Sequence, residues 1–226
     1  MTNRNILADA AYLFDFGFSM RRFDVTSSKS GRIDDLSWSL SNTYLLPQLE
    51  PLSVDKNREW RMRGAWHERG LMFEMNVARI SATRVAEGQP YHRALQFYID
   101  TRGSLGIKRG NHFCYRLNFP TQLPPQKTVN QILNGRNTSI HKASEEPPKI
   151  PDEDLLFRVE PLNDTQEQWR IFIRGAKLHG FNPGEFPEIG LFFCMYDTQS
   201  SAIHLARTAS SRFQEDPSNW CRVKLL

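Results

Sequence analysis

Two stretches near the middle of the chain alternate strictly between apolar and polar side chains. In the first, Leu95, Phe97 and Ile99 alternate with Gln96, Tyr98 and Asp100. In the second, Phe113, Tyr115, Leu117 and Phe119 alternate with Cys114, Arg116 and Asn118. Successive side chains of an extended chain point to opposite faces, so this period predicts two half-buried strands joined by the Gly- and Lys/Arg-containing connection between them. One face enters a core. The other presents Gln96, Tyr98, Arg116 and Asn118, which antiparallel pairing would gather into one polar patch.

The same alternation recurs along the chain. Tyr12, Phe14, Phe16 and Phe18 predict an N-terminal strand, with Arg21 and Arg22 as exposed edge charge. WRMRGAW at 60–66 and LMFEMNVA at 71–78 read as a hairpin whose connection carries Gly70, free to adopt a positive φ. Further strands are expected at 155–160, 169–174, 203–206 and 221–226. The run 191–196 is apolar almost without interruption, which suits a strand covered on both faces. Residues 27–41 read as a polar loop, and Trp38 is the tryptophan expected to lie exposed there. Residues 121–154 hold Pro124, Pro125, Pro147, Pro148 and Pro151 and read as a long surface excursion from a single domain spanning 1–226.

About ten short strands, many Pro/Gly turns and no long amphipathic helix predict an all-β fold, an antiparallel β-sandwich. The absence of a fixed-period repeat disfavours a propeller or solenoid. Composition agrees: 39% hydrophobic residues, 12% aromatic residues and 15 Phe support a packed core rather than disorder.

Charge and targeting signals narrow the function classes. With 29 Lys and Arg against 25 Asp and Glu, interspersed, a net charge of +4 argues against a nucleic-acid partner. Mean hydropathy is −0.54, and no apolar run approaches the roughly 20 residues that cross a bilayer. The N-terminal stretch carries Asp9 and Asp15 and has no apolar h-region, so a cytoplasmic location is expected. The 3 Cys (Cys114, Cys194, Cys221) lie in apolar strand patterns without CxxC spacing, as buried free thiols would. The sequons at Asn137 and Asn163 carry no weight without an export signal.

No reaction signature is present: HExxH, GxSxG, Walker A and GxGxxG are all missing. The 6 His show no zinc spacing, and His112 and Asp100 are placed to meet across the central hairpin. Asp34, Asp35, Asp152, Glu153 and Asp154 are calcium candidates by composition only, since the D-x-D-x-D-G loop is absent. Whether the chain is an enzyme stays open, with a binding module favoured.

The order of segments carries a resemblance. A Trp-bearing strand is followed by GLMFEMNV, QFYIDTRG and FCYRLNF, and then by GLFFCMYD and EDPSNWCRVKLL. From about Arg58 onward this resembles the family 9 carbohydrate-binding modules and their DOMON-like relatives, particularly the IDTR-containing bacterial versions. The resemblance implies a jelly-roll-like β-sandwich that is non-catalytic and accompanies glycoside hydrolases. In the xylan-degrading members two aromatic rings sandwich a terminal sugar while a carboxylate and an arginine bond its hydroxyls. Arg116, within YRLN, matches that arginine. Gln96 stands at the carboxylate position, Tyr91 nearest the first ring and Phe213 near the second.

The resemblance thus implies a carbohydrate ligand, or a similar polar one, bound through Tyr91, Gln96, Tyr98, Arg116, Asn118 and Phe213. It admits structural calcium and implies no other cofactor. The alternative is a structural or protein-interaction module of the same fold, with a protein partner, that has lost sugar binding.

Overall fold

The computed structural model describes residues 17–27, 30–47, 60–78, 91–104, 106–123, 132–197, 200–204 and 213–226. In chain order its strands are β1 (Gly17–Arg22), β2 (Arg61–His67), β3 (Gly70–Ala78), β4 (Tyr91–Asp100), β5 (Cys114–Leu123), β6 (Leu133–Asn134), β7 (Arg136–Thr138), β8 (Leu155–Pro161), β9 (Gln166–Arg174), β10 (Glu188–Asp197), β11 (Ser200–His204) and β12 (Cys221–Leu225). Helical structure among the described residues is confined to 3₁₀ turns of three residues each. No helix among these residues is long and apolar enough to cross a membrane. The fold is all-β, as the alternation predicts.

The strands form two layers. One sheet runs β7-β5-β4-β10-β12, with β11 also paired to β10, and the other runs β6-β8-β9-β3-β2. Both expected hairpins are present: β4 pairs with β5 in antiparallel register, and β2 pairs with β3. Gly70 closes the second hairpin at φ 148°, and a Cβ there would lie 2.0 Å from the Ile173 carbonyl oxygen. Only glycine fits that approach.

The layers are joined at both edges. Gly17 to Met20 pair in parallel with β12, whereas Arg21 and Arg22 pair in parallel with β2. The first strand is therefore a corner that changes sheets. Its arginines are exposed as expected, but the strand is no free edge, because it has a partner on each side. Arg22 forks onto Glu68 at 2.8 and 2.9 Å.

At the opposite edge β6 pairs with β8 and, one residue later, β7 pairs with β5. Gly135 makes that step, donating its N–H to the Leu155 carbonyl at 2.6 Å and lying so close to Phe119 that a Cβ would be 2.6 Å from the ring. Within the Pro-rich stretch expected as a surface excursion over 121–154, residues 132–150 close this edge of the sandwich and bury Ile140 and Ile150 while many of their neighbours stay exposed. Proline content removes backbone donors without removing apolar anchors, and composition alone hid the two isoleucines.

Between the sheets lie the apolar positions of the alternation. Leu95, Phe97 and Ile99 face inward from β4, Tyr115, Leu117 and Phe119 from β5, and Leu71, Phe73, Met75 and Val77 from β3. Phe73 and Phe97 stack across the layers at 4.4 Å, and Phe119 meets Phe97 and Phe157 edge-on. Burial of each such side chain contributes about 1.5–3 kcal/mol.

A second apolar cluster lies on the outer face of the β2/β3/β9 sheet. Phe23, Ile33, Leu36, Trp38 and Leu40 cover Ala65, Met72 and Phe172. Trp38 is thus buried, not exposed, with Nε1 donating to the Ile33 carbonyl at 2.8 Å. Its loop folds back onto outward-facing apolar positions of β2, β3 and β9. The polar sequence around Trp38 does not reveal that surface.

Candidate functional site

The outer face of the first sheet is built by register. Across β7, β5, β4 and β10, Thr138, Arg116, Tyr98 and Phe192 form one cross-strand row. Arg136, Asn118, Gln96 and Cys194 form the next. Same-face neighbours on paired strands are close enough for their side chains to interact, and here they do. The Gln96 Oε1 accepts from the Tyr98 hydroxyl at 3.1 Å and from Arg116 Nη2 at 3.4 Å. The Arg116 guanidinium carbon also lies 5.9 Å from the Tyr98 ring centroid, within cation–π range.

One side of this polar group is an aromatic wall. Phe192 and Phe213 stack at 4.2 Å, and Tyr98 meets Phe213 at 5.8 Å with the rings nearly perpendicular. Trp220 lies 5.8 Å from Tyr98 and donates Nε1–H to the Phe213 carbonyl at 2.7 Å. Burial pushes the Tyr98 phenol up and the Cys194 thiol up to about 12, so both are neutral near pH 7. The fixed positive charge of Arg116 therefore faces neutral neighbours in Gln96, Tyr98 and Cys194.

Arg116 is set apart from most half-buried arginines here. Arg63, Arg158 and Arg170 also have a buried Nε without an acceptor, but each is paired with a carboxylate, at 3.2, 3.5 and 2.6 Å respectively. Arg116 has no such carboxylate among the described residues. On the same strand and face, Asn118 Oδ1 is buried without a hydrogen-bond partner. A donor and an acceptor are left unsatisfied side by side in the chain's register.

No protein-family model matches the chain, and no curated protein matches it. Among solved structures it is similar to a family 9 carbohydrate-binding module from Caldicellulosiruptor kristjanssonii in complex with glucose. That likeness has a TM-score of 0.52 at 13% identity over 92% of this chain and 96% of the other. It is also similar to a family 9 module from the same organism in complex with cellotriose, with a TM-score of 0.48 at 9% identity over 92% of each chain. The chain has the fold of a family 9 carbohydrate-binding module. At these identities the likeness is one of fold.

Within that family 9 module fold, the register gathers Gln96, Tyr98, Arg116 and Asn118, and the 213–220 turn brings in Phe213. Phe213 is not an open ring, however. It is 4% exposed and stacked on Phe192, because Asp216 caps the Pro217–Asn219 turn and folds the segment against the sheet. Tyr98 is fully buried. Tyr91 opens β4 opposite Leu123, at the far end of the strand from Asp100, and its side chain lies outside the described residues.

The sequence reading missed Phe192, Cys194 and Trp220 as members of this layer. The continuous apolar run of β10 conceals its own alternation: Leu191 and Phe193 face the core while Phe192 and Cys194 face outward. The expectation that this run is covered on both faces is met, since Leu191, Phe192, Phe193, Cys194 and Met195 are all buried.

Other candidate groups are placed elsewhere. His112 pairs through Nδ1 with Glu145 at 2.5 Å rather than with Asp100, whose carboxylate accepts from the backbone N–H of Arg102 and Ser104. Asp154 pairs with Arg174, Asp34 with Arg32, and Asp35 accepts from Ser37. Among the described residues no group of three or more His, Cys, Asp or Glu side chains converges.

Proposed function

We propose that the chain is a non-catalytic carbohydrate-binding module that takes a sugar, or a similar polar ligand, at Arg116, Gln96 and Asn118 on the outer face of the first sheet. The observation that carries the reading is the Arg116 guanidinium, half-buried beside the unpartnered Asn118 Oδ1 and lacking any carboxylate among the described residues. Sugar hydroxyls both donate and accept. Arg116 supplies donors, Asn118 Oδ1 an acceptor, and the Gln96 amide nitrogen further donors. A solved structure of the same fold holds glucose, which supports the ligand class.

Titration calorimetry with glucose, xylose and their oligosaccharides tests the proposal. Saturable binding is expected, with affinity reduced at least tenfold by Arg116→Ala. No heat with any sugar, or binding indifferent to Arg116→Ala, sinks it.

One observation favours a second reading. Tyr98 and Phe213 are consumed in a buried aromatic layer, which suits a structural or protein-interaction module. Recovery of one protein partner, with no sugar response, is the outcome it requires.

A further inference from the structure

Arg102 stands with Arg116 as a half-buried arginine that makes no ion pair with a carboxylate among the described residues. Its Nε is buried with no acceptor, and its guanidinium makes no hydrogen bond or ion pair among the described residues. It lies just beyond the end of β4, held by rings: its guanidinium carbon is 3.5 Å from the Phe186 centroid and 5.0 Å from that of Phe113. Phe113 is in turn stacked on His179 at 5.2 Å with the planes 3° apart.

This arrangement leaves one kind of interaction unfilled. Rings contact the faces of a guanidinium and fix its orientation, while its N–H donors lie in the plane. A partly desolvated cation whose in-plane donors meet no carboxylate is unfavourable, and an anion entering the plane would relieve that cost. The Asp100 carboxylate acts on Arg102 through space but makes no ion pair with it; it is buried and accepts from the Arg102 and Ser104 backbone, and Glu145 holds His112.

We infer that Arg102 is a receptor for a ligand carboxylate, such as a uronate sugar carries, at the end of the sandwich beyond β4. The planar fork of a guanidinium matches the two oxygens of a carboxylate. The inference goes beyond the sugar reading at Arg116 and does not require it, because a neutral sugar has no group for this position.

The test follows the Arg102 Nε–H resonance in the intact chain during titration with galacturonate, acetate and inorganic phosphate, with galactose as the neutral control. Galacturonate is expected to shift that resonance saturably and galactose to leave it still. Arg102→Gln should weaken galacturonate binding at least tenfold, and Arg102→Lys, which keeps the charge without the fork, severalfold. Neutral-sugar binding through Arg116 should be unaffected by either. A resonance that no carboxylate moves, or galacturonate binding that survives Arg102→Gln, overturns the inference. Tighter binding of phosphate than of either carboxylate overturns the carboxylate assignment. An unmoved Arg102 signal alongside sugar binding at Arg116 sinks this inference alone. A responsive Arg102 with no neutral-sugar heat sinks only the Arg116 reading.

Discussion

Glu74 and Arg63 face each other across the β2–β3 hairpin at 3.2 Å, with the Glu74 side chain 2% and the Arg63 side chain 12% exposed. Glu74 also accepts from the Leu40 backbone N–H at 3.2 Å and lies 3.6 Å from Arg170, which continues to Glu160 and Arg158. The outer face of the second sheet therefore carries a cross-strand network in which each of these arginines meets a carboxylate. The outer face of the first sheet leaves Arg116 without a carboxylate among the described residues.

Removing the centre of that network should be costly. Glu74→Ala leaves Arg63 without a carboxylate and the Leu40 N–H without its acceptor, while Arg170 keeps Glu160, and breaking a buried pair costs about 3–5 kcal/mol. Urea unfolding should show that loss of stability. A change below about 1 kcal/mol would mean the network relaxes into solvent.

The glycines at the two tight approaches should differ in tolerance. Gly135→Ala meets the buried Phe119 ring and should cost about 1–3 kcal/mol as overpacking. Gly70→Ala meets a backbone oxygen at 2.0 Å with φ at 148°, and nothing flexible can give way. Thermal unfolding should rank Gly70→Ala as the more damaging.

The Arg22 fork holds the Glu68 carboxyl down to about 2. A folded-state value below the unfolded one adds stability above the ordinary carboxylate range and loses it as pH falls toward 2. Both side chains are more than half exposed, so the gain is small and screened by salt. Side-chain carbon NMR in Arg22→Ala should return Glu68 to the ordinary range. An unchanged titration would remove Arg22 as the cause.

Burial pushes Cys114, Cys194 and Cys221 each up to about 12, and all three are buried free thiols. The thiolate is the reactive form. A disulfide reagent should therefore leave the folded protein unmodified at pH 8 and titrate three thiols in denaturant. Rapid labelling of the native chain would contradict this packing.

Tyr98→Phe removes the hydroxyl that Gln96 accepts while preserving the ring against Phe213. Stability should fall by about 0.5–1.5 kcal/mol, and any sugar affinity should fall severalfold as Gln96 loses its orientation. Unchanged affinity would separate Gln96 from the ligand.

The fold was legible where its information is local. Leu95, Phe97 and Ile99 face the core and Gln96 and Tyr98 face away because alternation is a property of each extended segment. The same holds for Arg116 and Asn118. Trp38 was misjudged, and Ile140 and Ile150 were not singled out, because polar or Pro-rich surroundings carry no record of the apolar surface that a loop covers.

What the sequence by itself determined was most of the strands and, where apolar and polar residues alternate, the face each side chain takes, because a residue's side of a strand depends only on its immediate neighbours. What tertiary structure alone decided was which polar groups have partners. Arg63 finds Glu74, while Arg116 and Arg102 lie against aromatic rings and make no ion pair among the described residues. Those pairings depend on strand register, ring packing and loop coverage between residues far apart in the chain, and no local pattern encodes them.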